Sequence, residues 1–142
     1  MIKEFQKEYR WLSNFTPCSI ILGGKEYRSV EHAYMSAKSD DKNWKQTCQN
    51  TIKPGQIKRA SRNITLRDDW ETKKIDVMWE CLIQKYNREP FKSRLIATGT
   101  KTIQEGNYWN DKFWGVCLKT GHGKNKLGRM IMKIRRDLLK EK

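Results

Sequence analysis

The sequence predicts a mainly α-helical fold with a minor β-hairpin, an α+β chain in which the sheet is the smaller part. Three observations predict it. Apolar residues recur at helical spacing along the second half of the chain. A Gly23-Gly24 pair near the N-terminus separates two short runs with strand composition. A length of 142 residues with 37% apolar residues sets a single domain over 1–142 with one core.

The elements follow in order. Cys18–Leu22 and Lys25–Tyr27 flank the glycine pair, which supplies the positive φ angles of a two-residue hairpin turn. Ser29 offers an N-cap hydroxyl for a helix from about Val30 to Lys38. A second helix covers Asp41 to about Thr51, and Pro54-Gly55 closes it or opens the next. Trp70, Val77, Met78, Cys81, Leu82 and Tyr86 predict a long helix capped by Asp68 or Asp69. Pro90 at the first helical position starts a helix reaching Ala97, which Gly99 stops. Residues 100–122 read as irregular, with short strands at Lys101–Gln104 and Trp114–Leu118. In the last helix Leu127, Met130, Ile131, Ile134 and Leu138 form one apolar stripe.

Thirty Lys and Arg against 16 Asp and Glu give a net charge of +14, which favours a polyanionic partner and fits solubility alone equally well. No apolar stretch approaches the ~20 residues of a membrane helix, so no membrane partner is expected. Met1–Gln6 has no apolar signal region. Cys18, Cys48, Cys81 and Cys117 lie far apart, and with only His32 and His122 beside them no zinc spacing can be assembled. Free thiols in a reducing compartment, hence a cytoplasmic setting, are the expectation, with no metal or cofactor called for.

Three constellations bear on chemistry. On one helix face Glu31, Tyr34 or Met35, and Lys38 recur at i, i+3/i+4 and i+7, placing the carboxylate and amine about 10.5 Å apart along the axis. Such a pair can act as acid/base and nucleophile at opposite ends of one pocket. Spacing alone favours an ordinary charged surface face, and His32 reads as a cap or packing residue. Next, Asp111–Gly115 precedes a glycine-rich turn, Gly123–Gly128, that runs into the last helix. Such a turn suits a phosphate or simply caps the helix, and it is not a Walker A motif because Arg129 follows Gly128. Finally, Lys126, Arg129, Lys133, Arg136 and Lys140 lie off the apolar stripe of the last helix, as a solvated face or a track for a nucleic-acid backbone. Trp70 and Trp79 read as core, whereas Trp109 and Trp114 suit stacking on a base.

Taken together, these segments resemble the NADAR (YbiA-like) family over about residues 11–136. The matching stretches are Leu12-Ser13-Asn14-Phe15, Gly24 through Glu31-His32 to Tyr34 and Lys38, Trp70 with Lys74 and Met78, Lys85-Tyr86, Leu95 with Thr98-Gly99, Glu105, Asp111 with Trp114-Gly115, and Gly123-Lys124-Asn125 with Leu127-Gly128. The resemblance implies a compact, mostly helical fold and N-glycosidase activity on ADP-ribose-related or phosphoribosyl substrates. Members of the family include enzymes that remove ADP-ribose from guanine in nucleic acid and others that hydrolyse early riboflavin-pathway intermediates. It implies catalytic roles for Lys38 and Glu31, and substrate binding by Asn14, Phe15, Tyr34, Glu105, Asp111, Trp114, Gly115, Gly123, Asn125 and Gly128. Ser61 before Arg62, Ser39 after the lysine and Val116-Cys117-Leu118 depart from the family pattern, and they bear on pocket shape and substrate more than on reaction type.

The chemistry agrees. Cleaving an N-glycosidic bond builds positive charge on the sugar and requires a proton for the leaving amine. A sugar on an exocyclic amine can also ring-open to an imine into which a lysine exchanges, provided burial or cationic neighbours keep that lysine neutral. The expectation is therefore a hydrolase removing ADP-ribose from guanine in nucleic acid or nucleotides, with DNA or RNA held on the basic surface. The alternatives are a small-molecule N-glycosidase for riboflavin-pathway intermediates and a non-catalytic module binding ADP-ribose or nucleic acid.

Overall fold

A computed structural model describes residues 1–141, and the chain divides into two compact units. One comprises Asn14–Lys85; the other combines Met1–Ser13 with the chain from Tyr86 onward.

In the Asn14–Lys85 unit, β1 (Ile20–Leu22) and β2 (Lys25–Tyr27) pair antiparallel, with Leu22 opposite Lys25. Gly23 and Gly24 both take positive φ, 58° and 77°, the geometry that matches a tight turn to the strand twist. Next comes α1 (Val30–Ser36), a short helix with every residue buried. The hairpin and two helices pack round it: α2 (Lys42–Asn50) and α3 (Pro54–Ala60). Asp41 caps α2 by accepting from Asn43 N at 2.8 Å, and Pro54 opens α3 at its first turn. Two α2 side chains reach the end of α1. Trp44 Nε1 donates to Met35 O at 2.8 Å and Lys45 Nζ to Ser36 O at 3.1 Å. These satisfy carbonyls that the helix end leaves without intrahelical partners. The long helix α4 (Trp70–Tyr86) buries Trp70, Met78, Cys81 and Leu82 as its periodicity predicts.

In the other unit the N-terminus is zipped to the middle of the chain. Ile2 N donates to Thr102 O at 2.8 Å and Gln104 N to Ile2 O at 2.9 Å. After Pro90, α5 (Phe91–Ala97) ends at Gly99, whose φ of 63° a side chain would resist. Two parallel strands follow, β3 (Gly106–Asn107) and β4 (Val116–Cys117). The last helix, α6 (Lys126–Lys140), packs on α5. Its Leu127, Ile131, Ile134 and Leu138 are buried, each contributing roughly 1.5–3 kcal/mol.

Four expectations are corrected. The first helix stops at Ser36, because Ala37 and Lys38 turn back in a final tight turn, Lys38 N donating to Met35 O at 3.2 Å. The strand expected at 101–104 is a single bridge, Ile103 to Ile2, and the pairing moves to 106–107, where β4 offers a partner. Asp69 directs its carboxylate onto Arg67. Met130 lies at the edge of the α6 stripe, half-buried.

Candidate active site

The α1 set is built from the cap outward. Ser29 Oγ accepts from His32 N at 3.2 Å and contacts His32 Nδ1 at 2.6 Å. His32 Nε2 lies 2.8 Å from Thr51 O. A carbonyl only accepts, so Nε2 carries the proton and Nδ1 accepts from the serine hydroxyl. Burial, foremost, holds this imidazole below its ordinary pKa of 6.5. His32 is thus the cap-and-packing residue the sequence suggests.

The next position, Glu31, is a carboxylate only 7% exposed. Its N–H donates to Asn14 O at 3.0 Å, which ties the Asn14-Phe15 loop to the first turn of α1. Asn14 Nδ2 approaches Met78 Sδ at 3.6 Å, while its Oδ1 is buried without a hydrogen-bond partner. Phe15 beside it is half-buried. One turn along α1, Tyr34 is buried with its ring tilted against Trp70, centroids 5.1 Å apart.

Lys38 follows, half-buried, its Nζ 5.8 Å from the centre of the Tyr34 ring. The Lys38 carbonyl accepts from Arg67 N at 2.8 Å, so the backbone behind the amine is fixed from both sides. Burial lowers the Lys38 pKa from its ordinary 10.5. Glu31 opposes the shift, and the positive charges of Lys58 and Lys74 add to it. The structure therefore brings Asn14, Glu31, Tyr34 and Lys38 together in one unit, with the amine biased toward its neutral, nucleophilic form.

The second set lies in the other unit, on the loops around β3 and β4. Asp111 Oδ1 accepts from Phe113 N at 3.1 Å and Trp114 N at 3.0 Å, a turn the aspartate builds for itself. Trp114 is half-buried and meets Phe113 edge-on, centroids 4.8 Å apart. Glu105 Oε2 accepts from Asn107 Nδ2 at 3.0 Å. The Glu105 side chain lies so close over Gly115 that a Cβ there would overlap it. Gly123 likewise sits against the Gly115 carbonyl, and Gly128 against the Ile103 carbonyl and the Asn125 side chain.

In the turn Gly123–Gly128, which the sequence reads as a phosphate site or a helix cap, residues 124–127 direct their backbone N–H groups inward. Lys124 N donates to Lys112 O (2.7 Å), Asn125 N to Gly115 O (3.2 Å), Lys126 N to Phe113 O (3.1 Å) and Leu127 N to Trp114 O (2.9 Å). These four donors bind the Asp111–Gly115 loop. Asn125, in the left-handed region at φ 51°, adds side-chain bonds of 3.0 Å from Glu105 N and to Ile103 O. Gly123, Asn125 and Gly128 thus splice the loop to the start of α6.

Among the described residues no group of three or more His, Cys, Asp and Glu is placed to hold a metal, and no helix is long and apolar enough to cross a membrane. All four cysteines are free and buried, and burial pushes the Cys48 and Cys81 thiols up to about 12.

A family model for the NADAR domain matches residues 2–139. The chain belongs to the NADAR family. Riboflavin biosynthesis protein VVA0006 of Vibrio vulnificus is 33% identical over 138 residues, which cover 95% of this NADAR chain but only 37% of that protein. N-glycosidase YbiA of Escherichia coli is 31% identical over 138 residues, covering 95% of this chain and 85% of YbiA. The NMR structure of E. coli YbiA superimposes with a TM-score of 0.84 at 28% identity, covering 99% of this chain and 88% of that one. The mainly helical fold read from the sequence is thus the fold of a solved NADAR relative.

Sequence reasoning missed Asn107 and Lys58, and it named Lys74 only as part of the family pattern. Asn107 is 1% exposed and makes three side-chain hydrogen bonds, but it stands in a stretch with no periodicity to flag it. Lys58 and Lys74 are unremarkable in a chain with 30 basic residues until folding sets their charge against Lys38.

Proposed function

We propose that this protein is an N-glycosidase that removes ADP-ribose from ADP-ribosylated guanine, carried on nucleic acid or in nucleotides, with Lys38 as nucleophile and Glu31 as acid/base group. The observation that carries the reading is a half-buried lysine of lowered basicity in the turn that ends the short helix carrying a buried glutamate. Family relatives named N-glycosidase support the reaction class. The charge of +14 and exposed Arg129, Lys133, Arg136 and Lys140 on α6 support a nucleic-acid carrier. Four free thiols support a reducing, cytoplasmic setting.

The chemistry balances with water alone. Ring opening of the N-linked ribose gives an imine between C1 and the exocyclic nitrogen, proton transfer passing through Glu31. The neutral Lys38 amine adds to C1, and its displaced proton moves to the guanine nitrogen. The C1–N bond then breaks with its electron pair on the leaving amine, which takes the second lysine proton through Glu31, and a lysine Schiff base remains. Water adds to C1, and collapse returns free ADP-ribose and the lysine. Tyr34 and Asn14 shape the space along α1. Asp111, Trp114, Glu105 and Gly115 keep the substrate-binding roles the resemblance gives them, read out in KM. Gly123, Asn125 and Gly128 take the same role beside their support of the loop.

A second reading, hydrolysis of a riboflavin-pathway intermediate, is favoured by the 33% identity to a riboflavin biosynthesis protein. Mass spectrometry of a guanine-ADP-ribosylated oligonucleotide incubated with the protein separates the two. Free ADP-ribose and restored oligonucleotide are expected with the natural chain and not with Lys38→Ala. An untouched oligonucleotide, with a riboflavin intermediate consumed, would establish the second reading. Ligand binding without product in either case would leave a binding module.

A further inference from the structure

The loop that leads to Asp111 holds two large aromatic side chains in solvent. Tyr108 is 58% exposed and Trp109 56%. Rings of this size usually contribute buried area, so two in succession at a loop tip mark a surface shaped for a partner. The loop is held firmly. Asn107 Oδ1 accepts from Asp111 N and its Nδ2 donates to Asp111 O, both at 3.0 Å, closing residues 107–111 at their base. Asn110 turns the tip in the left-handed region at φ 67°. A platform ordered beforehand loses little conformational entropy when a ligand stacks on it.

The surroundings are cationic. Residues 106–124 contain three lysines and a single acid, Asp111, whose Oδ1 is turned onto the Phe113 and Trp114 N–H groups. Lys112 and Lys124 are exposed, and their backbones are joined, Lys124 N to Lys112 O, at 2.7 Å. Exposed rings on a loop that runs into exposed lysines match an unpaired base and its phosphate. A duplex offers few free base faces, and an acidic protein surface would use the lysines without the rings.

We infer that Tyr108 and Trp109, with Lys112 and Lys124, form a docking surface for single-stranded nucleic acid, the rings stacking on unpaired bases and the lysines holding the adjoining phosphates. For its purpose this surface rests on the nucleic-acid form of the proposed reading, whereas the binding itself needs no glycosidic chemistry.

The test is fluorescence anisotropy of a labelled oligo-dT 12-mer with the full chain, beside a hairpin duplex of similar length. Trp109→Ala is expected to weaken single-strand binding about tenfold and leave duplex binding unchanged, while Trp109→Phe retains most of the affinity. Lys112→Gln with Lys124→Gln is expected to flatten the slope of log affinity against log salt by about 1.4. Both variants should keep the natural helical circular dichroism and turn over a free ADP-ribosylated guanosine nucleotide at the natural rate. Single-strand affinity within twofold of the natural chain in Trp109→Ala, or equal losses on single strand and duplex, would overturn the surface. If the natural chain turns over neither the free nucleotide nor a guanine-ADP-ribosylated oligonucleotide, the proposed function falls separately, because the anisotropy reads the surface without any turnover.

Discussion

A lysine amine is a poor nucleophile while it is an ammonium, so the chemistry proposed at Lys38 depends on what removes its proton. Burial comes first, the charges of Lys58 and Lys74 push the same way, and Glu31 pulls back. In that balance kcat/KM should rise with pH through an apparent pKa below the ordinary lysine value of 10.5. Lys58→Ala removes one of the lowering charges, so its profile should move to higher pH with little change in the plateau rate. A profile that stays in place would show that burial alone sets the amine. At the same scale, His32 is buried neutral, so its folded pKa lies below the unfolded 6.5. Between those values the unfolded chain binds the extra proton. The stability His32 contributes is therefore present above pH 6.5 and lost as pH falls through the folded value. Arg28, whose charge also disfavours the imidazolium, works in the same sense. Urea unfolding at pH 7.5 and 5.5 should show a larger loss for the natural protein than for His32→Gln. Residues 29–32 were the most legible part of the sequence, since a serine three positions before a histidine on a helix start has few other uses.

The elements are held by side chains that complete backbone hydrogen bonds, and much of the sequence reading succeeded or failed on that account. The Gly23-Gly24 turn, the Ser29 and Asp41 caps and the α6 stripe depend on near neighbours in the chain, so local pattern revealed them. The splice at the start of α6 depends on four carbonyls from residues 112–115, which accept from the N–H groups of residues 124–127 and which no periodicity encodes. That packing makes a sharp prediction. In Gly128→Ala the added methyl meets the Ile103 carbonyl and the Asn125 side chain, so thermal unfolding should show a loss of about 1–3 kcal/mol. Asn125→Gly keeps the left-handed backbone but loses two side-chain hydrogen bonds. Asn125→Ala loses the same bonds and adds backbone strain, and so should be the less stable of the two.

At the scale of the whole molecule, an excess of +14 and a small apolar content leave the surface strongly cationic, while the proposed acid/base group lies on a seven-residue helix and the proposed nucleophile two residues beyond it. Fold class was legible because amphipathic stripes and turn glycines are summed along the chain, and the YbiA structure carries the same fold. The residues proposed for catalysis were legible only as a family pattern. Glu31 and Lys38 read in isolation as a charged helix face, and it is their burial that distinguishes them. What most directly tests the lysine mechanism is the intact mass of the protein after borohydride reduction during turnover of ADP-ribosylated guanine. A reduced sugar adduct located on Lys38 by peptide mapping, and absent from Lys38→Ala, is the expected result. Full turnover without any adduct, or with Lys38→Ala as active as the natural chain, would contradict it.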